Sequence, residues 1–146
     1  PVPRTIQEAQ FQDERLLTLR SRQSAAYKGL FALQMQRGAS DFRTGFPIDV
    51  HNYFSDAIDV HHIFPKQLLK DAGKSRSEYN QIANYAYTQD AINIKIGSKS
   101  PHVYFADVVS QCNGGEHKYG AIDSMSRLEE SLAANCVPMS APSVLR

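Results

Sequence analysis

Two adjacent imidazoles, His61 and His62, stand at the end of an apolar run. They follow the carboxylate of Asp59 and are stopped by Pro65, in Asp59-Val-His-His-Ile-Phe-Pro65. Asn84 lies downstream, and Asn93 sits within Thr88-Gln-Asp-Ala-Ile-Asn-Ile-Lys-Ile-Gly97. These residue types suit metal-assisted hydrolysis of a phosphodiester. Water is a weak nucleophile and an alkoxide leaves poorly, so a divalent cation has to neutralise charge on the phosphate and on the departing oxygen. A neutral imidazole takes the proton from the attacking water near pH 7. Such a site needs one histidine free as base and separate ligands for the cation.

Neighbouring side chains on a regular strand point to opposite faces. His61 and His62 can therefore share a site only at a strand end or a bulge, which Pro65 favours. One ring then faces the cation and the other the water. Asn93 returns its carboxamide oxygen to the same cation. Asp59 shares the His61 face as a further ligand or an orienting group. Oxygen ligands with one imidazole suit Mg²⁺ or Mn²⁺. Lys66, Lys95 and Lys99 are candidate phosphate contacts. Each residue also has a plainer role to weigh. A histidine pair near a strand end can be partly buried polar filling, Asn93 a helix-face hydrogen bonder, and the lysines solvated charges. Asn84 suits pinning of the loop between two strands to its own backbone. Tyr79, Tyr85 and Tyr87 read as core or rim.

The elements that must position these groups are legible in outline. Residues 57–64 have strand character, and Pro65 ends the pairing. Residues 66–70 form a helical turn, 71–78 a polar loop and 84–87 the second strand. Thr88 is the expected N-cap of a helix over 89–96 that Gly97 closes. Upstream, a helix is expected over 7–19. A stronger one covers 24–37, with Tyr27, Leu30, Phe31 and Met35 on one face. Residues 41–48 read as a turn anchored by Phe42, Phe46 and Ile48. Downstream, Ser100-Pro101 opens a helix with Val103, Tyr104, Val108 and Val109 inward. Residues 111–120 form a polar loop. Ile122, Met125, Leu128 and Leu132 mark a last helix, with Ser126 and Glu129 at capping-box spacing. The fold class is α+β, with a two-stranded hairpin and a short helix among additional helices. Residues 1–23 read as an arm, 24–137 as the functional domain and 138–146 as a fraying tail.

Composition bounds the function. The 146 residues suffice for one core, 42% are hydrophobic and 21% charged, which is globular rather than disordered. A net charge of +1 places any polyanion surface in local clusters of Lys and Arg. Cys112 and Cys136 form no CxxC pair, so neither a disulfide framework nor a zinc ribbon is indicated. A structural zinc module would have to draw on His61, His117, Cys112 and Cys136 at irregular spacing. No apolar run reaches membrane-spanning length, and a soluble cytoplasmic protein without membrane partners is expected. The chain opens on Pro1, as an excised piece of a longer protein would.

Asp59-Val-His-His-Ile-Phe-Pro65, Ile82-Ala-Asn84, Ile92-Asn-Ile-Lys-Ile-Gly-Ser-Lys-Ser-Pro101 and Tyr104 resemble the HNH nucleases of the ββα-metal superfamily. The chain looks most like the C-terminal HNH domain of GmrSD-type, modification-dependent restriction proteins. Ser24-Ala-Ala-Tyr-Lys-Gly-Leu30 and Gly38-Ala-Ser-Asp-Phe-Arg-Thr-Gly45 share in this resemblance, which covers roughly residues 24–104. The layout is also similar to the HNH domain of CRISPR effector nucleases. The resemblance implies His62 as general base, His61 and Asn93 as metal ligands and Asn84 as the structural middle asparagine. His61 stands where relatives often carry Asp, a less negative site that widens the metals from Mg²⁺ and Mn²⁺ to Ni²⁺ and Zn²⁺. It further implies cleavage of double-stranded DNA to a 5′-phosphate and a 3′-hydroxyl, within anti-phage restriction in the bacterial cytoplasm. A preceding ParB-like nucleotide-hydrolysing domain and a homodimer that cuts both strands belong to the same expectation. The alternative is a non-catalytic nucleic-acid-binding module on the same fold.

Overall fold

The computed structural model describes residues 2–10, 12–41, 43–48 and 58–138. The expected helix over 7–19 is instead one exposed turn, α1 (Arg4–Gln7), and a 3-10 helix (Asp13–Thr18). Neither buries a residue, and short helices without a packed face are marginal in water. α2 (Ala25–Gln36) starts where Ser24 accepts the amide hydrogen of Tyr27 at 3.2 Å.

The hairpin comes next. β1 (Ile58–His62) pairs antiparallel with β2 (Tyr85–Gln89) in unbroken register, His61 opposite Ala86 and His62 opposite Tyr85. Two short helices, α3 (Lys66–Asp71) and α4 (Arg76–Tyr79), and a 3-10 turn (Ile82–Asn84) join the strands. α4 corrects the expected loop over 71–78. Its start is held by Glu78, whose carboxylate accepts from the Ser75 amide and hydroxyl at 2.8 Å each, so the capping box lies here. α5 (Asp90–Ile96) follows β2 directly and packs on both strands. Gly97, at φ +57, closes it in a conformation that costs a residue with a Cβ.

α6 (Pro101–Cys112) and α7 (Met125–Ala134) complete the described chain. Val103 is 46% exposed, whereas Phe105 takes the inward position with Tyr104 and Val108. α7 is capped by Ser124, which accepts from the Arg127 amide, and not by the expected Ser126–Glu129 pair. Ser126 bonds Glu130 instead.

A hairpin of two strands needs cover on both faces to persist. One face meets α2, where Val60, Tyr85 and Tyr87 pack with Tyr27, Leu30, Phe31 and Ile82. The other joins the C-terminal helices, where Ala86 and Ile63 pack with Ile96, Tyr104, Phe105, Val108, Leu128 and Leu132. The architecture is α+β: helices around one small antiparallel sheet. The expected Phe42 anchor, the strand start at Ala57 and the tail beyond Pro138 lie outside the described residues.

Candidate functional site

The alternation of β1 sends its two imidazoles into different surroundings. The ladder runs regularly through His62, and the Ile63 amide continues it by donating to the Asn84 carbonyl at 2.9 Å. No bulge turns the two rings together, so the expected sharing of one cleft is replaced by a division between faces. Asn84 fixes where the strand stops. Its Oδ1 accepts from the Phe64 amide at 2.8 Å, while its Nδ2 donates to the carbonyls of Phe64 and Tyr79 at 3.2 and 3.0 Å.

His61 is buried on the α5 side. Burial first, then the Arg43 guanidinium, hold its pKa down at about 4, while the Asn93 side chain acts the other way. The ring is therefore neutral near pH 7, and its buried Nε2 has no hydrogen-bond partner among the described residues. Asn93 reaches back from α5 and donates to Asp59 Oδ2 at 3.2 Å. The structure thus gathers Asp59, His61 and Asn93 on one side of β1.

Below them lies a buried polar cluster. Asp41, Arg43 and Thr88 are each fully enclosed. The Asp41 carboxylate accepts from the Thr88 hydroxyl and from the amides of Arg43 and Gln89, each at 2.9 Å for the amides. Arg43 approaches Asp41 at 3.5 Å and donates to Thr88. This explains why Thr88 is no N-cap: Asp41 and Arg43 hold its hydroxyl in β2, and Gln89 takes the capping position.

His62 faces the other way, half-buried, in a cavity of about 330 Å³ lined also by Arg20, Arg22, Asp59, Asn80 and Tyr85. Its ring stands edge-on to Tyr85 and Tyr79, with centroids 5.1 and 6.3 Å away. Nε2 lies 2.9 Å from Asn80 Oδ1. A carboxamide oxygen only accepts, so Nε2 carries the hydrogen and Nδ1 keeps its lone pair. Burial, Lys66 and Arg22 lower the ring's pKa, against the Asn80 hydrogen bond and Asp59, which raise it. Asp59 belongs to both groups, lining the His62 cavity and holding Asn93.

No family model matches the chain. No solved structure matches it either. The chain is 30% identical over 122 residues to the uncharacterized protein MJ0686 of Methanocaldococcus jannaschii. That match covers 83% of this chain and 20% of the relative, so the chain spans about a fifth of the relative's length.

The lysines divide. Lys66 lies 5.7 Å from the Tyr79 ring centroid, near His62. Lys95 and Lys99, expected at the phosphate, point elsewhere. Lys95 donates to the Lys118 carbonyl at 2.7 Å, and Lys99 to the Tyr119 hydroxyl at 3.4 Å. Lys95, on α5, and Lys99, beyond its end, both turn to the α6–α7 loop. Among the described residues no group of three or more His, Cys, Asp or Glu is gathered for a metal, so His61, His117, Cys112 and Cys136 form no zinc cluster. No described helix is long and apolar enough to cross a membrane.

Sequence reasoning passes over Asn80, Arg20, Arg22, Asp41 and Arg43. Nothing in the spacing links these to His61 or His62, because loop returns bring them together. The one available sign is Arg20-Ser-Arg22, two like charges in a stretch read as an arm.

Proposed function

We propose that the chain is a divalent-metal-dependent DNA endonuclease of the HNH, ββα-metal type. The observation that carries this reading is the return of Asn93 to Asp59 and His61, directly behind a strand end that presents His62. β1, β2 and α5 follow one another in the order such a core needs, with α3, α4 and a 3-10 turn between the strands, and Asn84 clamps the loop after β1.

His62 acts as general base. With Nε2–H held by Asn80, Nδ1 takes the proton from the attacking water, and the hydrogen bond to Asn80 strengthens as the ring becomes charged. His61, Asn93 and Asp59 are the residues that would hold the cation. The fit is chemical: an orphaned nitrogen on a ring kept neutral, a carboxamide and a single carboxylate. One carboxylate leaves most coordination positions to water and phosphate, as Mg²⁺ or Mn²⁺ requires. The chemistry supplied there is charge neutralisation on the phosphate and on the departing oxygen. Restriction of modified DNA, as part of a longer protein, extends the same reading.

The test is incubation of supercoiled plasmid with the chain and Mg²⁺ or Mn²⁺. Nicking or linearisation is expected, abolished by EDTA and reduced by roughly a hundred- to ten-thousandfold in His62→Ala. Equal cutting by His62→Ala removes His62 from the mechanism. Metal-independent DNA binding without cutting favours the non-catalytic module.

A further inference from the structure

The His62 cavity does not end at His62. A second cavity, of about 400 Å³, shares Arg20 and Asn80 with it and is lined further by Ser21, Arg76 and Ser77. The two adjoin at Arg20 and Asn80 and reach from His62 to the start of α4. Arg20, Arg22 and Arg76 take part in no ion pair among the described residues, and Asp59 is the one carboxylate among the lining residues.

The arm is held in place for this. Ile82 donates its amide to the Leu19 carbonyl at 2.7 Å, and the Tyr85 hydroxyl donates to the Arg20 carbonyl at 3.4 Å. Tyr85 also packs on His62. The backbone of residues 19–20 is therefore tied to the elements that carry the base, while the guanidinium groups stay in water. Guanidinium forks match phosphate oxygens two at a time. Unpaired arginines in a groove with serine and asparagine hydrogen-bonding groups suit a backbone of successive phosphates.

We propose that Arg20, Arg22 and Arg76 form a phosphate track that seats the DNA backbone flanking the scissile bond, with Lys66 at its His62 end. The inference rests on the nuclease reading for the identity of the polyanion and adds the residues that position it. Contacts of this kind fix register and carry no sequence information. The track therefore places substrate without choosing a target.

The experiment measures binding of a short labelled DNA duplex by fluorescence anisotropy over a series of salt concentrations. The protein carries His62→Ala so that the duplex stays intact. Arg20→Gln with Arg22→Gln is expected to weaken binding about tenfold and to lower the salt slope by roughly two. Arg76→Gln is expected to lower it by roughly one. Arg127→Gln removes the same charge from α7, and Arg20→Lys with Arg22→Lys keeps the charge on the track. The first should leave the slope unchanged, and the second should restore most of the binding. Circular dichroism confirms folding of each variant. Unchanged affinity and slope in the Gln variants overturn the track, as does an equal loss in Arg127→Gln. Plasmid cutting, measured with His62 intact, separates the two claims. Cutting indifferent to the arginines overturns the track and leaves the nuclease. Arginine-dependent binding by a protein that never cuts overturns the nuclease and leaves the track.

Discussion

The two faces of β1 carry the same residue type one position apart and treat it in opposite ways. His61 lies in a closed environment, above a buried Asp41–Arg43 pair and against α5. His62 lies in an open groove among cations, hydrogen-bonded by Asn80. Burial removes the proton from His61 and leaves a nitrogen that a cation could use. His62 is only half-buried, and although burial lowers its pKa too, the hydrogen bond to Asn80 and the Asp59 carboxylate act the other way. Strand alternation alone gives two neighbouring imidazoles different surroundings, provided that each face has different cover.

The largest effect should come from the closed face. Asp41→Ala leaves Arg43 buried without its carboxylate and should cost about 3–5 kcal/mol of stability, read as a lower urea midpoint. A loss below about 1 kcal/mol, the range of exposed ion pairs, would break the contrast between faces.

Next is the proton on His61. In the unfolded chain the ring takes a proton near 6.5, and in the folded protein not until about 4. Protonation therefore favours unfolding. The contribution is complete above pH 6.5 and is lost as pH falls towards 4, by at most about 3 kcal/mol. Thermal melts with EDTA should show this loss in the native chain, and His61→Gln should flatten it. An unchanged profile in His61→Gln would mean that the closed face does not hold a neutral imidazole.

Asn80→Ala sharpens the comparison from the open face. It removes one hydrogen bond to a ring that becomes charged, worth roughly 1.5 kcal/mol, so cutting should slow about tenfold. Stability should hardly change. A stability loss with unchanged rate would place Asn80 in the scaffold.

The smallest effect concerns the lysines. Lys66→Gln should lower the salt slope of DNA binding by roughly one, while Lys95→Gln should leave it alone. The reverse result would turn the substrate path from the groove to the α6–α7 loop.

Composition and pattern settled the α+β class and the positions of both strands. They also placed the helices after residues 24 and 100, and the short helix closed by Gly97 one residue early, because hydrophobic periodicity, Pro65 and Gly97 act locally. The spacing of Asp59 and His61 put them on one face, since strand alternation follows from backbone geometry. Tertiary structure decided what covers each face. Asn80 reaches His62 through the loop between the strands, and Arg20 arrives through hydrogen bonds from Ile82 to Leu19 and from the Tyr85 hydroxyl to its own carbonyl. Asp41 and Arg43 come under the hairpin across more than forty residues of chain, through hydrogen bonds to Thr88 that span 47 and 45 positions. Such contacts leave no periodic trace in the sequence. They depend on loop closure and on the need of each buried charge for a partner, and both are satisfied only in the folded chain.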